Sequence, residues 1–146
     1  MILNHFRPFL FALILVSANI GMLNAASSSQ LADTGSQLAK KGNYTEALAN
    51  LNAAIQTDPH SARAYKLRGH VYYAMGDYDR ALTDLDYVVT LVQGNANALA
   101  DRAIVHSVMG HHGLALADIE RALALKPSSS FAQAVRKEIL ERAREK

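Results

Sequence analysis

The chain has 146 residues, half of them hydrophobic, and a formal net charge of +2. So small an excess of charge, with no long run of Lys or Arg, argues against binding nucleic acid by phosphate neutralisation, and no nucleic-acid partner is expected. The absence of cysteine excludes disulfides, thiolate chemistry and Cys-based zinc sites.

Taken in chain order, the first element is an apolar segment. His5 and Arg7 precede residues 8–23, PFLFALILVSANIGML, in which only Ser17 and Asn19 interrupt the apolar run. Small residues follow near Ala25 and Ala26. A basic start, a short apolar stretch and small residues fit a secretory signal peptide over residues 1–26. As a helix the run would span roughly 24 Å against about 30 Å of hydrocarbon, short for a permanent anchor. The alternative is an uncleaved N-terminal membrane tether through residues 8–23. Either way the remainder, 27–146, is expected outside the cytoplasm, periplasmic or secreted.

That remainder repeats itself. KGNYTEALANLN from Lys41, MGDYDRALTDLD from Met75 and MGHHGLALADIE from Met109 start 34 residues apart. Within them Gly42, Gly76 and Gly110 are followed by Ala47, Ala81 and Ala115, then by Leu51, Leu85 and Ile119, then by Ala54, Val88 and Ala122. Steps of four and three put these residues on one face of a helix. Upstream, Leu31, Tyr65 and Leu99 lead to Gly35, Gly69 and Ala103, then to Leu38, Tyr72 and His106. This predicts a preceding helix whose small central residue lets the pair approach as an antiparallel hairpin. Asp58-Pro59, Gln93-Gly94-Asn95 and Lys126-Pro127 close the three units.

These residues resemble the tetratricopeptide repeat (TPR) family, with units at 28–61, 62–95 and 96–129. The middle unit carries the pattern as Tyr65, Gly69, Tyr72, Gly76, Tyr78, Ala81, Leu85 and Val88. The third departs most, with His106 and His112 where aromatic residues are usual. The resemblance implies an all-α fold, an α-solenoid of three antiparallel helix pairs. Residues 130–146 form a capping helix with an apolar stripe expected at Phe131, Val135, Ile139 and Ala143, and with Glu138–Arg142 and Glu141–Arg144 placed to pair.

Catalytic signatures are missing: no GxSxG, GxxxxGK[ST] or HExxH occurs. No enzyme activity, metal or cofactor is expected. His106, His111 and His112 lie close enough in sequence to be weighed as ligands, but His106 and His112 fit better as fillers of aromatic slots. Asp77 and Asp79, like Asp84 and Asp86, alternate too closely to share a helix face and read as turn and surface carboxylates. Two structural ion pairs are expected across the hairpins, Arg68 with Asp84 and Arg102 with Asp118.

In this family the first helices line a concave groove that holds peptides. The corresponding exposed stripe in the middle unit is Arg63, Lys66, His70 and Tyr73, within an arc of about 80°. The flanking stripes are Ser29, Ala32, Ser36 and Ala39, and Asn97, Ala100, Ile104 and Ser107. The resemblance thus implies a protein or peptide partner, with an acidic segment suited to the basic stripe and with Asn97 and Ile104 beside it. Ala32, Ser36 and Ala100 do not fit the family's carboxylate clamp for chaperone tails. The alternative is a structural or assembly subunit of an envelope complex or homo-oligomer, using the repeat ends and the cap.

Overall fold

The computed structural model describes residues 26–144. The expected signal peptide or tether falls almost wholly on residues 1–25, which lie outside the described residues. Seven helices and no strand occur among the described residues: α1 Ser28–Lys40, α2 Tyr44–Thr57, α3 Ala62–Ala74, α4 Tyr78–Leu91, α5 Ala96–Val108, α6 His112–Leu125 and α7 Ser130–Arg144. None of them is long and apolar enough to cross a membrane.

Local sequence explains where the helices start and stop. Ser27, Ser61, Asn95 and Ser129, each 34 residues from the next, precede α1, α3, α5 and α7. Each side chain accepts a hydrogen bond from a backbone N–H of the first turn, at 3.2, 3.4, 3.1 and 3.2 Å in that order. Within each pair the first helix ends on a glycine with φ near +80°, Gly42, Gly76 or Gly110. That left-handed turn satisfies the last carbonyls, as when Asn43 N–H donates to Leu38 O and Gly42 N–H to Ala39 O, both at 3.0 Å.

Packing follows the predicted hairpins. Ala47, Leu51 and Ala54, with their counterparts Ala81, Leu85 and Val88 and Ala115, Ile119 and Ala122, are buried against the first helix of the same unit. Full burial of one of the larger of these side chains, Leu51, Leu85, Val88 or Ile119, contributes about 1.5–3 kcal/mol.

A second buried stripe joins the units. Ala64 and Val71 of α3 pack into the first unit's core, Val105 of α5 into the second's, and Ala132 and Ile139 of α7 into the third's. The final helix is therefore placed like the first helix of a fourth unit. Its buried face is Ala132, Val135 and Ile139, not the expected stripe with Phe131 and Ala143, both of which are exposed. Four-residue steps drift around a helix by about 40° each, so a stripe drawn at that spacing leaves the buried face.

Candidate functional site

The unit stack places the first helices side by side. α1 packs on α3 and α5 on α7, whereas no second helix packs closely on the next second helix among the described residues. The first helices therefore share one side of the stack, with α3 and α5 joined there by the His70–Asp101 contact, and this is the side that the family resemblance makes the inner one.

On that side the four stripe residues of α3 do not form a free basic patch. Arg63, exposed, donates to Asp33 of α1 and, at 3.3 Å, to Ser29 Oγ. This bond holds the Asp33 carboxyl below the usual carboxylate range and the Arg63 guanidinium above its ordinary value. His70 Nε2 lies 3.2 Å from Asp101 Oδ2 on α5. Tyr73 is half-buried, its ring centre 5.6 Å from that of Tyr78. Lys66 is half-buried and makes no ion pair among the described residues.

The flanking stripes need correction too. Ala32 and Ala100, expected on the exposed face, are 0% exposed, and Ser107 is buried. Both alanines occupy the position of Lys66 in their units, so Lys66 rises from a seam that the neighbouring units fill with methyl groups. Asn97 is exposed on α5, and Ile104, half-buried, packs against the C-terminal core. Asp33 and Asp101 escaped the sequence reading because neither belongs to the stripe drawn on its own helix. Their signal was the position of each one unit away from a basic residue of the stripe: Asp33 lies 30 residues before Arg63 and Asp101 lies 31 after His70.

Across the hairpins the structure brings together both arginine–aspartate pairs. Arg68 donates through Nε and Nη2 to Asp84 Oδ2 and Oδ1 at 2.8 and 2.7 Å. Arg102 does the same to Asp118 at 2.7 and 2.6 Å. Each guanidinium also reaches back 16 residues to the preceding unit. Arg68 Nη1 donates to Asn52 Oδ1 at 2.7 Å, and Arg102 Nη1 to Asp86 Oδ1 at 2.8 Å. Arg136 of α7 continues the series with Glu120 at 2.6 Å. The result is a ladder stitching the units, whose Arg68 rung also stands 5.3 and 5.9 Å from the Tyr65 and Tyr72 ring centres. Asp84 is thus a buried ion-pair partner, not a surface carboxylate. In the cap, Arg142 Nη2 meets Glu138 Oε1 at 2.8 Å, while Glu141 lies 3.9 Å from Lys137, not at the expected Arg144.

The histidines sit at the third hairpin's turn. His106 is half-buried with an unpartnered Nδ1, both ring nitrogens of His112 are buried without a protein partner, and His111 is exposed. Burial, with Arg102 and His111 adding to it, holds His106 below its ordinary value despite Asp118 and Asp86. Among the described residues no cluster of three or more His, Asp or Glu is arranged to hold a metal ion.

Comparison with known proteins bears on the fold. A family profile described as "TPR repeat" matches residues 35–76, and one described as "Tetratricopeptide repeat" matches residues 62–91. No curated protein matches the chain at a significant level. Among solved structures, the first TPR domain of the human RPAP3 protein is 22% identical with a TM-score of 0.76, over 81% of this chain and 93% of that one. The Arabidopsis OM64 TPR domain is 20% identical with a TM-score of 0.73, over 79% and 95%. The second TPR domain of human RPAP3, in complex with the HSP70 peptide SGPTIEEVD, is 25% identical with a TM-score of 0.68, over 74% and 90%. Tetratricopeptide repeats are thus detected within residues 35–91, and the described residues fold as an all-α solenoid like that of these domains.

Proposed function

We propose that this chain is a non-catalytic adaptor, working outside the cytoplasm, that holds a peptide segment of a partner protein across the inner faces of α1, α3 and α5. The observation that carries this reading is the make-up of that face. Its polar groups, the exposed Asp33, Arg63, His70 and Asn97 and the half-buried Asp101, come from the first helices of three successive units, which the Arg63–Asp33 and His70–Asp101 contacts join into one surface. The similar human domain holds a peptide ending in acidic residues, which supports a peptide as the ligand class.

Geometry refines the partner. Arg63 and His70 already face carboxylates, so an acidic segment gains most from Lys66, which has no such neighbour among the described residues. A peptide carboxylate at Lys66, flanked by groups that hydrogen-bond to Asn97 and apolar contact at Tyr73 and Ile104, fits this face better than a run of acidic residues would. Exposed charges make each contact modest and salt-sensitive.

The test is site-specific photo-cross-linking of the full chain in cells. A photoreactive residue at Asn97 is expected to capture a partner and one at Thr83, on α4, to capture none; Lys66→Glu should reduce the adduct several-fold. Adducts formed from Thr83 alone would place the partner on the outer side and defeat the reading. Fractionation of the same cells tests the compartment: the chain recovered with cytoplasmic proteins contradicts that part of the proposal.

A further inference from the structure

The junction between the second and third units contains a cleft of about 670 Å³, at the ends of α4 and α6 and the start of α5. Its walls include Val89, Val92, Gly94, Leu99, Arg121 and Leu125. The repeat itself shows what such a place holds. One unit earlier, the positions of Leu99 and Arg121 are Tyr65 and Tyr87, whose rings pack at a tilt of 43° with centres 4.2 Å apart. The Tyr87 O–H donates to Pro59 O at 3.0 Å and lies 3.2 Å from His60 Nδ1. Pro59 and His60 correspond to Gln93 and Gly94. So the first junction is filled by an aromatic ring with its hydroxyl tied down, and at the second junction the same four positions supply no ring.

What replaces the ring is informative. Leu99 and Val89 keep the floor apolar, while Val92 and Leu125, 39% and 52% exposed, extend an apolar rim. Arg121 supplies a cation that makes no ion pair among the described residues. The Asn97 and Ala98 N–H groups at the start of α5 are taken by Asn95 Oδ1, at 3.1 Å each, so an anion in the cleft depends on Arg121.

We propose that this cleft is a second binding site, separate from the inner groove, which takes an aromatic side chain lying next to a carboxylate in a partner polypeptide. The ring settles against Val89, Val92 and Leu125 over the buried Leu99, in the place that Tyr87 fills one unit earlier, and the carboxylate meets the Arg121 fork by charge-assisted hydrogen bonds. The guanidinium can also cover the ring face, a contact that favours aromatic over aliphatic occupants. At about 670 Å³ the cleft has more room than a ring and a carboxylate fill, and it is open to solvent, so the occupant is covered on one side only.

The probe is the capped peptide acetyl-Ala-Tyr-Glu-Ala-amide, titrated into the isotopically labelled full chain and followed by amide chemical shifts. Shifts centred on Gly94, Asn95 and Leu125 are expected, with affinity falling about tenfold when Glu is replaced by Gln in the peptide or when Arg121→Gln is introduced. Leu99→Tyr with Arg121→Tyr should refill the cleft with the chain's own rings, abolish these shifts and raise the melting temperature. The proposal is overturned if shifts fall on the inner face instead, if none appear at millimolar peptide, or if the refilled variant still binds. N-acetyl-tyrosine binding as tightly as the peptide would also overturn it, since the site would then serve free aromatic acids.

Discussion

Removing Asp118 should damage the fold far more than removing Asp86, although both carboxylates bind the same guanidinium. The Arg102 side chain is 18% exposed and that of Asp118 7%, against 55% for Asp86. Asp118→Ala leaves a largely desolvated arginine with one solvent-facing acceptor in place of a bidentate partner. Breaking such a pair costs about 3–5 kcal/mol when the surviving charge is fully buried. Here the retained Asp86 contact and the residual exposure of Arg102 set the expectation at the lower end, about 3 kcal/mol. Asp86→Ala should cost below about 1 kcal/mol, as exposed pairs do. Replacing both buried partners, Arg102→Met with Asp118→Leu, should recover to within about 1 kcal/mol of the parent, because no orphaned charge remains. Urea unfolding followed by far-ultraviolet circular dichroism measures all three. With a denaturant slope near 2 kcal/mol/M, the Asp118→Ala midpoint falls by about 1.5 M. Equal costs for the two aspartates, or a double variant as unstable as Asp118→Ala, would refute the assignment of the bond to a buried rung of the ladder.

Three further outcomes are expected. Gly35→Ala should lower the melting temperature, because its Cβ would stand 2.7 Å from Leu51 Cγ and 3.1 Å from the Ala47 carbonyl, and overpacking of about 1–3 kcal/mol exceeds the helix-propensity gain of about 1 kcal/mol. Gly69→Ala meets Leu85 Cγ at 3.3 Å and has a natural counterpart in Ala103, so it should be neutral or slightly stabilising; the reverse order of the two variants would contradict the packing argument. For His106, whose folded value is depressed by burial, stability is complete above the unfolded value near 6.5 and is lost as pH falls through the lower folded value. Comparing urea midpoints at pH 7.5 and 5.0, wild type should lose more stability than His106→Leu, and identical losses would show that His106 titrates freely.

The helix pairs were legible because each is a local object. A 34-residue period, a small residue at the crossing and a glycine after the first helix fix a hairpin's register, and register places Arg68 beside Asp84 and Arg102 beside Asp118. Those contacts lie 16 residues apart in sequence and depend on nothing outside one unit. What joins the units was not legible in the same way. Ala32 and Ala100 look exposed on their own helices because what covers them comes from the following unit: Ala32 clusters with Ala64 and Val71 of α3, and Ala100 with Ala132 and Ile139 of α7. The second stripe, Ala64 with Val71 and Ala98 with Val105, is short and interrupted, and its meaning appears only when a neighbouring unit covers it. For the same reason the basic stripe of α3 was read without Asp33 and Asp101, which reach it from other units and remove most of its free charge. The cleft at Arg121 was hidden more deeply, since it is defined by a ring that the preceding junction has and this one lacks. Sequence by itself determined the helices, their pairing and the buried ion pairs, through contacts whose geometry a single hairpin fixes. The rotation of one unit on the next was left to the tertiary structure, and that rotation decides which charges meet on the inner face and which space stays open between units.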